Sequence, residues 1–146
     1  MDRILAAMGA LPAHPDAAPA LDDLADAGFR LATLTNSAPD VAERQLVSAG
    51  LRDRFEAVLS VDAVRRFKPA PETYLHAASA LGEPPSRLMM VAAHDWDLRG
   101  AAAAGLEVAY VARPGMSFAP PEERPELSAG DLRTLADRIA AAGANR

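Results

Sequence analysis

The sequence predicts a Rossmann-like α/β fold, with a parallel sheet flanked by helices. Three observations carry this expectation: short apolar runs alternate with helical segments, those runs lack the polar alternation of half-exposed strands, and helices open on Pro and close on Gly. Residues 19–28 read as a helix, with Pro19 near the first turn, Leu21 and Leu24 three apart, three acids and Gly28 as the stop. Residues 29–34 form a short apolar run suited to a buried strand, broken by Thr35, Asn36 and Ser37. Residues 38–49 are helical again, with Val41, Leu46 and Val47 on one side and Gly50 at the end. A second strand is expected at 57–61 and a Pro-opened helix at 71–81. The third strand, 88–93, is fully apolar, and a small-residue helix at 97–104 ends at Gly105. A fourth strand at 107–112 precedes a Pro-rich loop at 114–125. The last helix, 131–142, carries Leu132, Leu135 and Ile139 as its apolar stripe.

Composition narrows the function classes. The 146 residues suit one domain, able to bury roughly two-thirds of its unfolded surface. Alanine makes up roughly a quarter of the chain, so the apolar fraction of 50% overstates the core. A net charge of −5 gives no reason to expect nucleic acid as a partner. With no cysteine there is no disulfide framework, thiol nucleophile or cysteinyl metal site. No apolar run approaches the roughly 20 residues that cross a bilayer, and residues 4–13 lack the basic flank and cleavage site of a secretory signal. A cytoplasmic domain is the expectation. Of the 15 cations, 14 are Arg and one, Lys68, is Lys, which offers a compact point charge where Arg offers a planar fork.

In parallel α/β sheets the functional residues sit beyond the carboxyl ends of the strands. Three predicted strands here run into suggestive polar groups. Thr35 and Asn36 follow the first, where a hydroxyl and an amide can hold an anion; the plainer alternative is a helix cap by Ser37. Lys68 lies beyond the second, kept out of the following helix by Pro69, and Tyr74 can lend a phenol to the same place. A fixed ammonium there can hold a carboxylate ionised or neutralise an anionic substrate, whereas a surface lysine is the bland reading. His94, Asp95, Trp96 and Asp97 follow the third strand. Asp97 can either cap the next helix or pair with Lys68, and Trp96 is a packing residue or a substrate wall. His14 and His76 have no supporting context. Oxygen-ligated magnesium needs converging carboxylates, and the third strand ends instead in Ala92-Ala93, so no metal is expected.

In order, Leu34-Thr35-Asn36-Ser37, Phe67-Lys68-Pro69-Ala70-Pro71-Glu72-Thr73-Tyr74 and the stretch 89–106 followed by Val108-Ala109-Tyr110-Val111 resemble the haloacid dehalogenase superfamily, the type II L-2-haloacid dehalogenases above all. The resemblance covers roughly residues 15–142 and implies an HAD-like core with no metal or organic cofactor. It implies that Thr35 and Asn36 help bind the nucleophile and substrate, and that Lys68 stabilises the charged nucleophile. Tyr74 would line the site, Asp97 would be the acid linked to the lysine, and His94 and Trp96 would face the substrate. His94 stands where well-known members have asparagine, and Ala92 where some have serine.

The resemblance also implies an attacking aspartate at the end of a strand near the N-terminus, followed by a cap. Neither Asp2 nor Asp16 follows a buried strand, so neither is read as that nucleophile. Residues 1–14 are expected to be the end of a cap domain and 15–146 the carboxyl-terminal part of the core, incomplete at the N-terminus. The implied function is hydrolytic removal of halide from a small anionic 2-haloacid, with the chain inactive alone. Alternatives are a magnesium-dependent phosphatase of the same superfamily or a catalytically dead interaction domain. An incomplete sheet leaves strand edges unpaired, which points to a homodimer or other self-association.

Overall fold

The computed structural model describes residues 12–144, so most of the segment expected to end a cap lies outside the described residues. Helix α1 (Ala17–Asp26) leads into strand β1 (Ala32–Thr35), helix α2 (Pro39–Ser48) and strand β2 (Ala57–Ser60). Helix α3 (Pro71–Leu81), strand β3 (Met89–Ala92) and helix α4 (Asp95–Ala103) follow. Strand β4 (Glu107–Val111), strand β5 (Ser128–Ala129) and helix α5 (Leu132–Gly143) complete the order.

The helices form where local chemistry favours them. Pro39 and Pro71 occupy first-turn positions, where a missing N–H costs nothing. Gly82 ends α3 at φ +68°, a left-handed position that glycine adopts freely. Asp131 caps α5 by accepting from the Thr134 N–H at 2.8 Å. Asp16 precedes α1 without capping it through its side chain. Its carboxylate takes two hydrogen bonds from Arg113, at 2.6 and 2.8 Å, and one from the Leu132 N–H at 2.7 Å. It therefore ties the start of α1 to the end of β4 and the start of α5. The Arg113 guanidinium, chiefly, holds this carboxyl down at about 2.

All pairings are parallel, but among the described residues the strands form two sheets, not the single one expected. β1 pairs with β2 in the register Leu34 opposite Leu59, while β3, β4 and β5 form the order β3-β4-β5. No ladder joins β1 to β3. Their carboxyl ends are tied by side chains, as described below, and each strand keeps one edge without a strand partner among the described residues.

Side chains alternate across the three-stranded sheet with the period of two that a strand imposes. Ala109 and Val111 of β4 face one core with Ala20 and Leu24 of α1 and Leu135, Ala136 and Ile139 of α5. Val108 and Tyr110 face the other side, where Tyr74 of α3 and Leu98 and Ala101 of α4 pack. Helices thus cover both faces of this sheet, the α/β architecture expected. No helix among the described residues is long and apolar enough to cross a membrane.

Candidate active site

Three elements bring the site together. Beyond β1, Asn36 turns its Oδ1 to accept the Lys68 backbone N–H at 2.9 Å. Beyond β2, the turn before α3 is closed by the Ala70 N–H on Phe67 O at 3.0 Å and by the Thr73 hydroxyl on Ala70 O at 2.8 Å. Lys68 is thereby held in a tight loop outside the helix, as the following Pro69 predicts. Its Nζ reaches Asp97 Oδ2 at 2.6 Å, with only 10% and 6% of the two side chains exposed.

Asp97 lies in the first turn of α4, where the partial positive charge of the helix end favours a carboxylate. The helix begins at Asp95, two residues earlier than expected, so Asp97 is inside it and not its cap. Its second oxygen, Oδ1, accepts from the Tyr74 hydroxyl at 2.8 Å, and that hydroxyl also lies 3.0 Å from Asp97's own carbonyl oxygen. Tyr74 is fully buried. Burial first, then the Asp97 carboxylate, pushes its phenol far above the ordinary tyrosine range, so it remains a protonated donor.

Asn36, Lys68, Tyr74 and Asp97 therefore form one connected network. It joins the carboxyl ends of β1 and β3, which no backbone ladder joins. Thr35 sits beside it with a structural duty that the sequence did not suggest: its Oγ1 accepts the Ser37 N–H at 3.1 Å. Ser37 does not cap α2 through its side chain; its carbonyl accepts from the Ser60 hydroxyl at 2.7 Å. His94 and Trp96 are both exposed and meet each other, with ring centroids 5.6 Å apart. They form a rim beyond β3. Asp95 is engaged by the Trp96 N–H at 2.8 Å and the Ala119 N–H at 3.4 Å. An open cavity of about 340 Å³ adjoins the site along the chain, lined by Val61, Asp62, Arg65, Arg66 and Phe67 and by none of the four network residues.

Gly100 is the residue that sequence reasoning passed over. A Cβ at this position would meet Pro69 Cβ at 2.6 Å and the Tyr74 hydroxyl at 2.7 Å. The signal was a glycine in the interior of a predicted helix, where it weakens the helix and needs a packing reason.

Among the described residues no three His, Asp or Glu side chains converge as a metal centre would require. What the network offers is a buried ammonium held in place, with one of its three donors used by Asp97.

A buried lysine–aspartate pair behind parallel strand ends fits the family that the sequence resembles. The chain belongs to the haloacid dehalogenase-like hydrolases, whose family model matches residues 1–105. Within that family it is similar to the (S)-2-haloacid dehalogenase of Xanthobacter autotrophicus, with 43% identity over 103 residues, covering 70% of this chain and 40% of that enzyme. It is also similar to a phosphoserine phosphatase of Thermus thermophilus, with 38% identity over 125 residues, 85% of this chain and 50% of that protein. Among solved structures, the L-2-haloacid dehalogenase from Xanthobacter autotrophicus with chloropropionic acid covalently bound superposes with a TM-score of 0.84 at 32% identity. That match covers 91% of this chain and 63% of the solved one. The chain spans about half the length of the curated relatives it matches.

Proposed function

We propose that this chain forms the cationic, substrate-holding half of a 2-haloacid dehalogenase site, and that it is inactive without an attacking aspartate supplied from elsewhere. The observation that carries the reading is the buried ammonium of Lys68, fixed by Asp97 and Asn36. In the complete reaction an aspartate carboxylate oxygen bonds to C2 of the acid, and the carbon–halogen bond breaks with its electron pair leaving as halide. Water then hydrolyses the ester to the 2-hydroxy acid, freeing the carboxylate and a proton. In this scheme Lys68 keeps the attacking carboxylate ionised, Asp97 and Tyr74 hold Lys68, and Thr35 and Asn36 line the anion's place. His94 and Trp96 form the substrate's outer wall. The partner is a small anionic 2-haloacid in a cytoplasmic setting, with residues 1–14 ending a cap and 15–146 forming the core.

Because Lys68 is the only lysine, labelling lysine at Cε yields one side-chain signal. Titration with (S)-2-chloropropionate is expected to move that signal saturably, and millimolar magnesium to change neither it nor the melting temperature. A signal indifferent to the haloacid would refute the reading. The phosphatase alternative draws on the similarity to the Thermus enzyme. A thermal shift with magnesium that disappears in Asp95→Asn would favour it.

Self-association belongs to the same reading. β1 and β3 each leave a backbone edge without a strand partner among the described residues, and a second copy offers equivalent edges. Sedimentation at micromolar concentration is expected to give a dimer or larger species. A single monomeric species with cooperative melting would show that these edges do not recruit another chain.

A further inference from the structure

We propose that Gly100 is a positioning residue for the Lys68–Asp97 pair: its missing side chain lets α4 seat against the lysine loop at the one distance that closes the pair. Gly100 stands one helical turn beyond Asp97, so the two share a face of α4. An added Cβ would lie 2.6 Å from Pro69 Cβ, 2.7 Å from the Tyr74 hydroxyl and 2.9 Å from the Pro69 carbonyl oxygen. These are the neighbours of Asp97's two partners: Pro69 follows Lys68 directly, and Tyr74 supplies the other hydrogen bond to the carboxylate.

None of the three atoms is the loose end of a long side chain. One is backbone, one belongs to a rigid ring, and one is the hydroxyl of a fully buried tyrosine. A methyl group at position 100 therefore cannot be absorbed by a rotamer change. The loop and α4 must separate, and a 2.6 Å ion pair spanning that gap is what separation breaks. Glycine is otherwise the poorest non-proline choice in a helix interior, and the backbone here sits in no left-handed conformation that would demand it. Close approach is the remaining reason for it. The inference rests on the pair's geometry and not on the substrate class, so its test uses no turnover.

The single lysine signal is again the readout, with a second crowded glycine, remote from the pair, as the control. At Gly143 an added Cβ would meet Phe29 Cζ at 2.9 Å, a milder clash with the tip of an exposed side chain at the far end of α5. Gly100→Ala is expected to shift the Lys68 Cε signal toward its position in Asp97→Asn and to raise the acylation rate of that amine severalfold. Gly143→Ala is expected to leave both unchanged, whatever it does to the melting temperature. Should Gly100→Ala not fold, Gly100→Ala/Tyr74→Phe removes one of the three contacts and is compared with Tyr74→Phe alone, with the same shift expected. An unmoved signal in folded protein overturns the proposal. So does failure of both Gly100 variants to fold, since that would make the glycine a requirement of the whole fold.

Discussion

Asp97→Ala is expected to destabilise the fold by about 3–5 kcal/mol, the cost of leaving a buried charge without its partner. Lys68 is 10% exposed at its side chain, so its ammonium has little water to turn to when the carboxylate is gone. The Tyr74 hydroxyl loses its 2.8 Å acceptor in the same change and keeps only the backbone carbonyl. For a domain of this length each kcal/mol lowers the melting temperature by roughly 2–4 °C, so a drop of about 6 °C is the least expected. Asp97→Asn should cost less, because an amide oxygen still accepts from the phenol. The exposed Arg44–Asp40 pair provides the contrast, with side chains 56% and 68% exposed. Breaking it should leave the unfolding midpoint nearly unchanged, because solvent screens both charges. Urea unfolding of the three variants measures all of this. A loss below about 1 kcal/mol for Asp97→Ala would place the pair among ordinary surface ion pairs.

That pair was legible in the sequence because its parts follow different strands and one of them is the sole lysine. Alternating apolar runs placed Asn36, Lys68 and Asp97 at one edge, and Pro71 marked the start of α3. The signals failed where packing outranks local pattern. Asp97 resembles a helix cap on paper, yet α4 starts at Asp95 and the carboxylate is spent on Lys68 and Tyr74. β5 is two residues long, too short to show any period. Asn36 also has a duty that no local rule anticipates: its Oδ1 holds the Lys68 backbone, 32 residues away. The division into two sheets was equally hidden, since apolar strands look alike whether or not their edges are paired.

Adding an attacking carboxylate is expected to produce the largest effect of all. Alone, the chain should release no measurable halide from (S)-2-chloropropionate, because Asp97, Asp95 and Asp16 are already engaged and the exposed Asp62, two residues beyond β2, lines an open cavity that none of the four network residues lines. Asp97 gives one oxygen to Lys68 and the other to Tyr74; Asp95 gives its two to backbone N–H groups; Asp16 is tied to Arg113 and Leu132. Attack by Asp97 would require breaking two hydrogen bonds and freeing the ammonium that steadies it. Loss of a covalent nucleophile costs about 10⁶-fold in rate where it has been dissected. Co-production with the portion of the Xanthobacter (S)-2-haloacid dehalogenase that this chain does not match should restore halide release, since the chain matches 40% of that enzyme. Lys68→Met in the same pairing should abolish it again, since a thioether cannot hold a carboxylate ionised. Restored strand pairing should also reduce self-association, which gives a readout independent of chemistry. Halide release by the chain alone that disappears in Asp97→Asn would make Asp97 the nucleophile. The buried pair would then be the reacting group itself and not its support.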